Sequence, residues 1–125
     1  MHAALETLRD LPAKRRIAVL GDMLEIGKYT LEAHERAGRF AAKSADILFT
    51  VGPRSKFIAD AAKAGGMRRA NIFSYETADE VRAPLREFIK KGDLVLIKGS
   101  HAMELNKVVN EIREVAPVDF HAQKN

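Results

Sequence analysis

Three short segments carry the residue types from which a ligand site could be built: Gly21-Asp22, Gly52-Pro53-Arg54-Ser55 and Lys98-Gly99-Ser100-His101. In the last, a lysine charge precedes a glycine that lets backbone approach a ligand. A serine that can open a helix follows, and the first N–H groups of a helix carry partial positive charge. Together these suit a carboxylate or a phosphate. The plain alternative is a Ser100 that only caps its helix and a Lys98 at a solvated strand end. Asp22, directly after a strand and a glycine, could accept hydrogen bonds from ribose hydroxyls, or could cap the loop behind it. Gly52–Ser55 also suits an anion, with Pro53 at the first helical position, although a bare turn explains it better. His34, on an apolar helical face, reads as a hydrogen-bonded core histidine that could also orient Asp22 or a ligand.

Other chemistries lack their residues. No Gly-x-x-x-x-Gly-Lys-[Ser/Thr] phosphate loop, Gly-x-Gly-x-x-Gly turn or Gly-x-Ser-x-Gly elbow occurs. The histidines, His2, His34, His101 and His121, are not spaced with carboxylates as a metal site requires. A phospho-acceptor receiver needs paired acids after the first strand, and Asp22 is followed by Met23. The chain is therefore expected to hold no complete catalytic or metal site of its own.

The elements that must position these segments alternate in period. Met1, Ala4, Leu5, Leu8 and Leu11 follow helical spacing, and Pro12 closes that helix. Arg16–Gly21 reads as a buried strand, and Thr30 as the N-cap of the next helix. That helix sets Glu32, Glu35, Arg36, Arg39 and Lys43 outward and Leu31, His34, Ala37, Gly38 and Ala41 inward. Asp46–Val51 is a second strand, followed by a helix with Phe57, Ile58, Ala61 and Ala62 inward and Gly65-Gly66 at its end. Asn71–Tyr75 is a short strand. Thr77 to Glu80 fits a capping box, opening a helix with Val81, Leu85, Phe88 and Ile89 inward. Pro84 conflicts with that helix and predicts a kink or a late start. Asp93–Lys98 is a strand, and Gly99-Ser100 opens a last helix with Leu105, Val108, Val109 and Ile112 inward. The tail after Pro117 has no assignment. Apolar strands alternating with helices predict an α/β, Rossmann-like fold, a mostly parallel sheet with helices on both faces.

The chain has 125 residues, 46% hydrophobic and 30% charged, which is one domain with enough apolar surface for a core. Its net charge of +4 is scattered, and the one tight cluster, Lys14-Arg15-Arg16, falls at a helix-to-strand joint. Without an aromatic-basic strand, no nucleic-acid partner is expected. The apolar runs Ile17–Leu20 and Leu94–Ile97 are too short to cross a bilayer, so no membrane partner is expected. Met1–Asp10 lacks the pattern of a secretion signal. The absence of cysteine excludes disulfide and thiolate chemistry and permits a reducing compartment. The first helix starts at residue 1 with its stripe already running and no cap before it, which favours a piece of a longer protein over a native start.

The segments RIAVLGDMLEIG, His34 followed by Gly38, ILFTVG and GDLVLIKGSHAMELNKVV, in that order, resemble the C-terminal domain of a Mur ligase from about Met1 to Val109. The resemblance implies a cytoplasmic three-domain enzyme whose central domain binds ATP and Mg2+. It implies that ATP phosphorylates the terminal carboxylate of UDP-N-acetylmuramoyl-tripeptide, and that the amine of D-alanyl-D-alanine attacks the acyl phosphate. Residues 1–125 would be a single C-terminal domain, inactive alone, that closes over the ATP site against its own central and N-terminal domains and brings in the dipeptide. By the same resemblance Gly21 and Asp22 meet the nucleotide, and Lys98, Gly99 and Ser100 lie near the dipeptide. His34 has a counterpart of unassigned role. His101 stands where the family often has arginine, which would make a carboxylate contact there weaker and pH-dependent. The other reading is a free-standing Rossmann-like module that binds a nucleotide or another anion at Lys98–His101.

Overall fold

A computed structural model describes residues 2–123. Ten elements follow in order: α1 (His2–Asp10), β1 (Arg15–Gly21), α2 (Leu31–Ser44), β2 (Ile47–Val51), α3 (Lys56–Ala64), β3 (Ile72–Tyr75), α4 (Ala78–Phe88), β4 (Asp93–Ser100), α5 (Asn106–Ile112) and β5 (Val118–Gln123). The five strands form one sheet in the order β3-β2-β1-β4-β5, and every pairing is parallel. The expected fold class is thus what forms, and the sheet is parallel throughout.

Each strand divides its side chains between two cores, as the period of two requires. On one face Ala18 and Leu20 of β1, Leu48 of β2 and Leu96 of β4 pack under α1, α2 and α3. On the other, Ile17, Val19, Phe49, Val95 and Ile97 pack under α4 and α5. Because β1, β2 and β4 are covered on both faces, they read as near-continuous apolar runs. Helices α2 and α3 touch through Gly38, where a Cβ would collide with the Ile58 carbonyl and stand 2.8 Å from Ala61 Cβ. At the end of the sheet remote from the candidate site, Arg15 grips the buried Asp93 with Nε at 2.9 Å and Nη2 at 2.7 Å.

Several expectations are corrected. The α1 stripe holds for Ala4, Leu5 and Leu8, but the helix ends at Asp10, which leaves Leu11 42% exposed. Met1 lies outside the described residues. Leu31, in the first turn of α2 and expected to face inward, is 52% exposed. Thr77 caps α4 by accepting the Glu80 N–H at 3.2 Å, so the helix starts at Ala78 and runs through Pro84 with no late start. Two larger corrections concern the C-terminal third. The strand expected to end at Lys98 continues through Ser100, and α5 opens only at Asn106. The unassigned tail forms the edge strand β5, which pairs with β4 from Val95↔Val118 to Ser100↔Gln123. That pairing is what keeps Gly99 and Ser100 extended. No helix among the described residues is long and apolar enough to cross a membrane.

Candidate functional site

In this strand order the crossovers leave β1 and β4 in opposite directions, so the sheet has its switch point between their carboxyl ends. The sequence-predicted segments meet there. Asp22, one residue past β1, donates its N–H to the Val51 carbonyl of β2 at 3.2 Å, and its carbonyl accepts the Ser100 N–H of β4 at 2.8 Å. One residue thus ties three strand tips together.

The Asp22 side chain is fully buried. Its Oδ1 accepts the backbone N–H of Arg54 at 3.0 Å, and its Oδ2 lies 3.5 Å from Arg54 Nη1. The carboxylate therefore caps the turn after β2, rather than the loop that follows it in sequence, and in this conformation it is turned away from solvent. Gly52 makes room for it: φ is +116°, and a Cβ there would lie 2.7 Å from Asp22 Cγ. Pro53 is not at the first helical position as expected, because α3 begins three residues later at Lys56, with Ser55 as its N-cap residue. Ser55 instead binds the Gly52 carbonyl through its hydroxyl at 2.7 Å.

Tyr29, which nothing in the sequence singled out, completes the rim. Its hydroxyl lies 3.3 Å from Ser100 Oγ, and the Arg54 guanidinium stacks on its ring with Cζ 4.2 Å from the centroid. Within the chain Asp22–Arg54–Tyr29–Ser100 the Tyr29–Ser100 link alone spans 71 positions of sequence, so no local pattern could have found it.

His34 holds the loop behind Asp22. It is buried, its Nε2 accepts the Met23 N–H at 3.0 Å, and Nδ1 lies 2.6 Å from the Thr30 carbonyl. A carbonyl only accepts, so this pairing requires the neutral tautomer with its proton on Nδ1. Both nitrogens are engaged, which is the core-histidine arrangement, and it fixes the residue next to Asp22.

Along β4, Lys98 and Ser100 share one face and Gly99 the other. Lys98 is half-buried, and its ammonium has no hydrogen-bond or ion-pair partner among the described residues; burial pushes its pKa down. The space over Gly99 is taken by Leu105, whose Cδ1 would stand 2.7 Å from an added Cβ. Gly99 therefore admits a core side chain, not a ligand. His101 is exposed in a 3₁₀ turn, His101–Met103. Ser100 therefore opens only this short 3₁₀ turn, without a side-chain cap, and the last α-helix expected there starts instead at Asn106. Positive charge at the rim comes from Arg54 and Lys98, on either side of Asp22. No group of three or more His, Asp or Glu residues gathers as metal ligands among the described residues.

The chain is similar to known proteins. The profile of the family described as Mur ligase, glutamate ligase domain, matches residues 1–101. A UDP-N-acetylmuramoyl-tripeptide–D-alanyl-D-alanine ligase of Synechocystis is 34% identical over 113 residues, 90% of this chain and 24% of that protein. The protein of that name from Bacillus subtilis is 30% identical over 116 residues, 91% of this chain and 25% of its own length. The chain thus spans about a quarter of the length of the curated relatives it matches. Among solved structures, MurF from Acinetobacter baumannii superposes with a TM-score of 0.74 at 22% identity, over 91% of this chain and 25% of that one. The MurF ligase from Thermotoga maritima in complex with ADP gives 0.67 at 24% identity, over 89% and 24%. At such identities the likeness shows the fold.

Proposed function

The chain belongs to the Mur ligase family through its glutamate ligase domain, and from that premise we propose that it is the C-terminal domain of a longer cytoplasmic enzyme joining D-alanyl-D-alanine to UDP-N-acetylmuramoyl-tripeptide. The observation that carries this reading is the run of curated relatives of that one name, each matched over about nine-tenths of this chain and a quarter of its own length.

In this reading residues 1–125 form one domain of the enzyme. The remaining polypeptide holds Mg2+ and most of the ATP. ATP transfers a phosphoryl group to the terminal carboxylate of the tripeptide, and the dipeptide amine displaces phosphate from the acyl phosphate to form the amide. This domain contributes position and dryness. Closing its strand-tip rim over the reacting groups excludes water, which would otherwise hydrolyse the acyl phosphate, and brings the amine to its target. Gly21 and Asp22 shape the nucleotide side. Lys98, Ser100 and His101 face the dipeptide, with Gly99 setting the strand path, and His34 supports the Asp22 loop. Lys98 suits the dipeptide carboxylate because a cation already stripped of some water and left without a partner gains most from an anion brought beside it.

The test is phosphate release by the longer polypeptide that carries this domain, with and without each substrate. The reading requires release to depend on both D-alanyl-D-alanine and the UDP-linked tripeptide, and Lys98→Ala to lower kcat/KM for the dipeptide. Release that ignores the dipeptide refutes it, and so does ATP turnover by residues 1–125 alone.

A further inference from the structure

We propose that Arg54 is the anion-contacting side chain of the strand-tip rim, and that Asp22 is a positioning residue acting only through it. This rests on the reading above, in which the rim meets the phosphates or carboxylates of the ligase substrates.

The argument starts from what each group has left to offer. Asp22 is fully buried, and both of its oxygens are directed at Arg54, one onto the backbone N–H at 3.0 Å and one toward the guanidinium at 3.5 Å. It has no free surface for a ligand. Arg54 is its complement. The side chain is 49% exposed, and a guanidinium carries five N–H donors. Asp22 takes one of them, at a distance that leaves the interaction weak, and is the side chain's only ion-pair partner among the described residues.

The exposed guanidinium is nevertheless not loose. One face lies on the Tyr29 ring at 4.2 Å, and that ring is tied by its hydroxyl to Ser100 Oγ at 3.3 Å. The backbone of Arg54 is fixed by the Asp22 carboxylate. A surface arginine ordinarily loses side-chain entropy when it binds. Here stacking and the aspartate have already removed much of that freedom, which leaves a planar fork presented to solvent beside the switch point. A fork of parallel donors matches the paired oxygens of a phosphate or a carboxylate. Lys98 supplies a second cation from β4 on the other side of Asp22.

The proposal separates two roles by experiment. The 125-residue chain is labelled with 15N and titrated with inorganic pyrophosphate, ADP and D-alanyl-D-alanine, with adenosine as the uncharged control. The backbone amides of 22, 52, 54, 55, 99 and 100 and the Arg54 Nε–H are followed. Pyrophosphate and ADP shifting the Arg54 signal assign the anion to a phosphate, and a response to the dipeptide alone assigns it to a carboxylate. Arg54→Gln is expected to weaken the responsive ligand roughly five- to tenfold, and Arg54→Lys to recover only part of this because it keeps charge without the fork. Tyr29→Leu, which removes the shelf from a half-buried site, is expected to weaken binding a few-fold with the fold intact. Asp22→Asn is expected to weaken the wild type yet change nothing in the Arg54→Gln background, a non-additivity that a merely structural carboxylate would not show.

Unchanged affinity in Arg54→Gln while the rim amides still respond overturns this inference and leaves the ligase reading standing. Losses from Asp22→Asn and Arg54→Gln that add likewise overturn it. Rim amides silent to all three anions remove the inference together with the assignment of the rim as the substrate-facing surface.

Discussion

Replacing Asp22 with alanine is expected to destabilise this domain by about 2 kcal/mol with no ligand present. The magnitude follows from what the carboxylate touches. A charged acceptor on a backbone N–H contributes about 1.5–3 kcal/mol, and the Arg54 N–H at 3.0 Å is such a bond. The contact to Arg54 Nη1 is long, and its guanidinium is half-exposed, so it adds at most a few tenths of a kcal/mol. The orphaned N–H belongs to an exposed turn residue and can bind water, which draws the total toward the middle of the range. For a chain of 125 residues, 2 kcal/mol corresponds to a fall in Tm of about 8 °C. Urea unfolding followed by circular dichroism measures it directly, with an unchanged slope showing that stability and not compactness has altered. Asp22→Asn keeps an oxygen for the Arg54 N–H and should lose about 1 kcal/mol. The sign is the decisive feature. A buried carboxylate kept only for a ligand is a desolvated charge, and its removal stabilises the free protein. An alanine variant with an equal or higher urea midpoint would therefore refute the capping role.

The remaining predictions concern charge and strain. Burial pushes the Asp93 carboxyl up, but the Arg15 fork and the Lys90 N–H outweigh it and hold it below the usual carboxylate range. Its contribution is thus complete above about pH 4 and lost as pH falls through the depressed value; Asp93→Asn should lose about 2 kcal/mol at pH 7 and flatten the acid limb of a urea-midpoint profile. Lys98 has the opposite sign. Its pKa is lowered, so between the folded and unfolded values the unfolded chain binds more protons and stability rises with pH; Lys98→Met should raise Tm at pH 7 and remove that alkaline rise relative to wild type. Ile26 sits at φ +52° and is 95% exposed at the tip of the Glu25–Lys28 turn, a left-handed conformation that a β-branched residue adopts at a penalty. Ile26→Asn should stabilise by about 0.5–1 kcal/mol in thermal unfolding, since almost no packing is lost.

Much of this architecture is legible in the order of residues because its causes are local. Four- to six-residue apolar runs between amphipathic stretches specify strands buried on both faces, and β1, β2 and β4 form where those runs lie. Thr30 and Thr77 open α2 and α4 because a hydroxyl three residues before an N–H needs no distant partner. The strand tips could be named as a group because ligands in open parallel sheets sit at the carboxyl ends. What the sequence left undecided depends on partners far along the chain. Strand order is one example. The extension of β4 through Ser100 is another, since it rests on Val118–Gln123 pairing beside it; Val118, Phe120 and Ala122 alternate with Asp119, His121 and Gln123 as in a half-buried strand, but that alternation does not say which strand it joins. The same pairing moves the last helix to Asn106 and removes the expected helix terminus from the rim. The carboxylate of Asp22, the guanidinium of Arg54, the ring of Tyr29 and the hydroxyl of Ser100 meet only once β1, β2 and β4 lie side by side, because each hydrogen bond or stacked pair is a matter of ångströms between partners that the chain itself holds tens of residues apart.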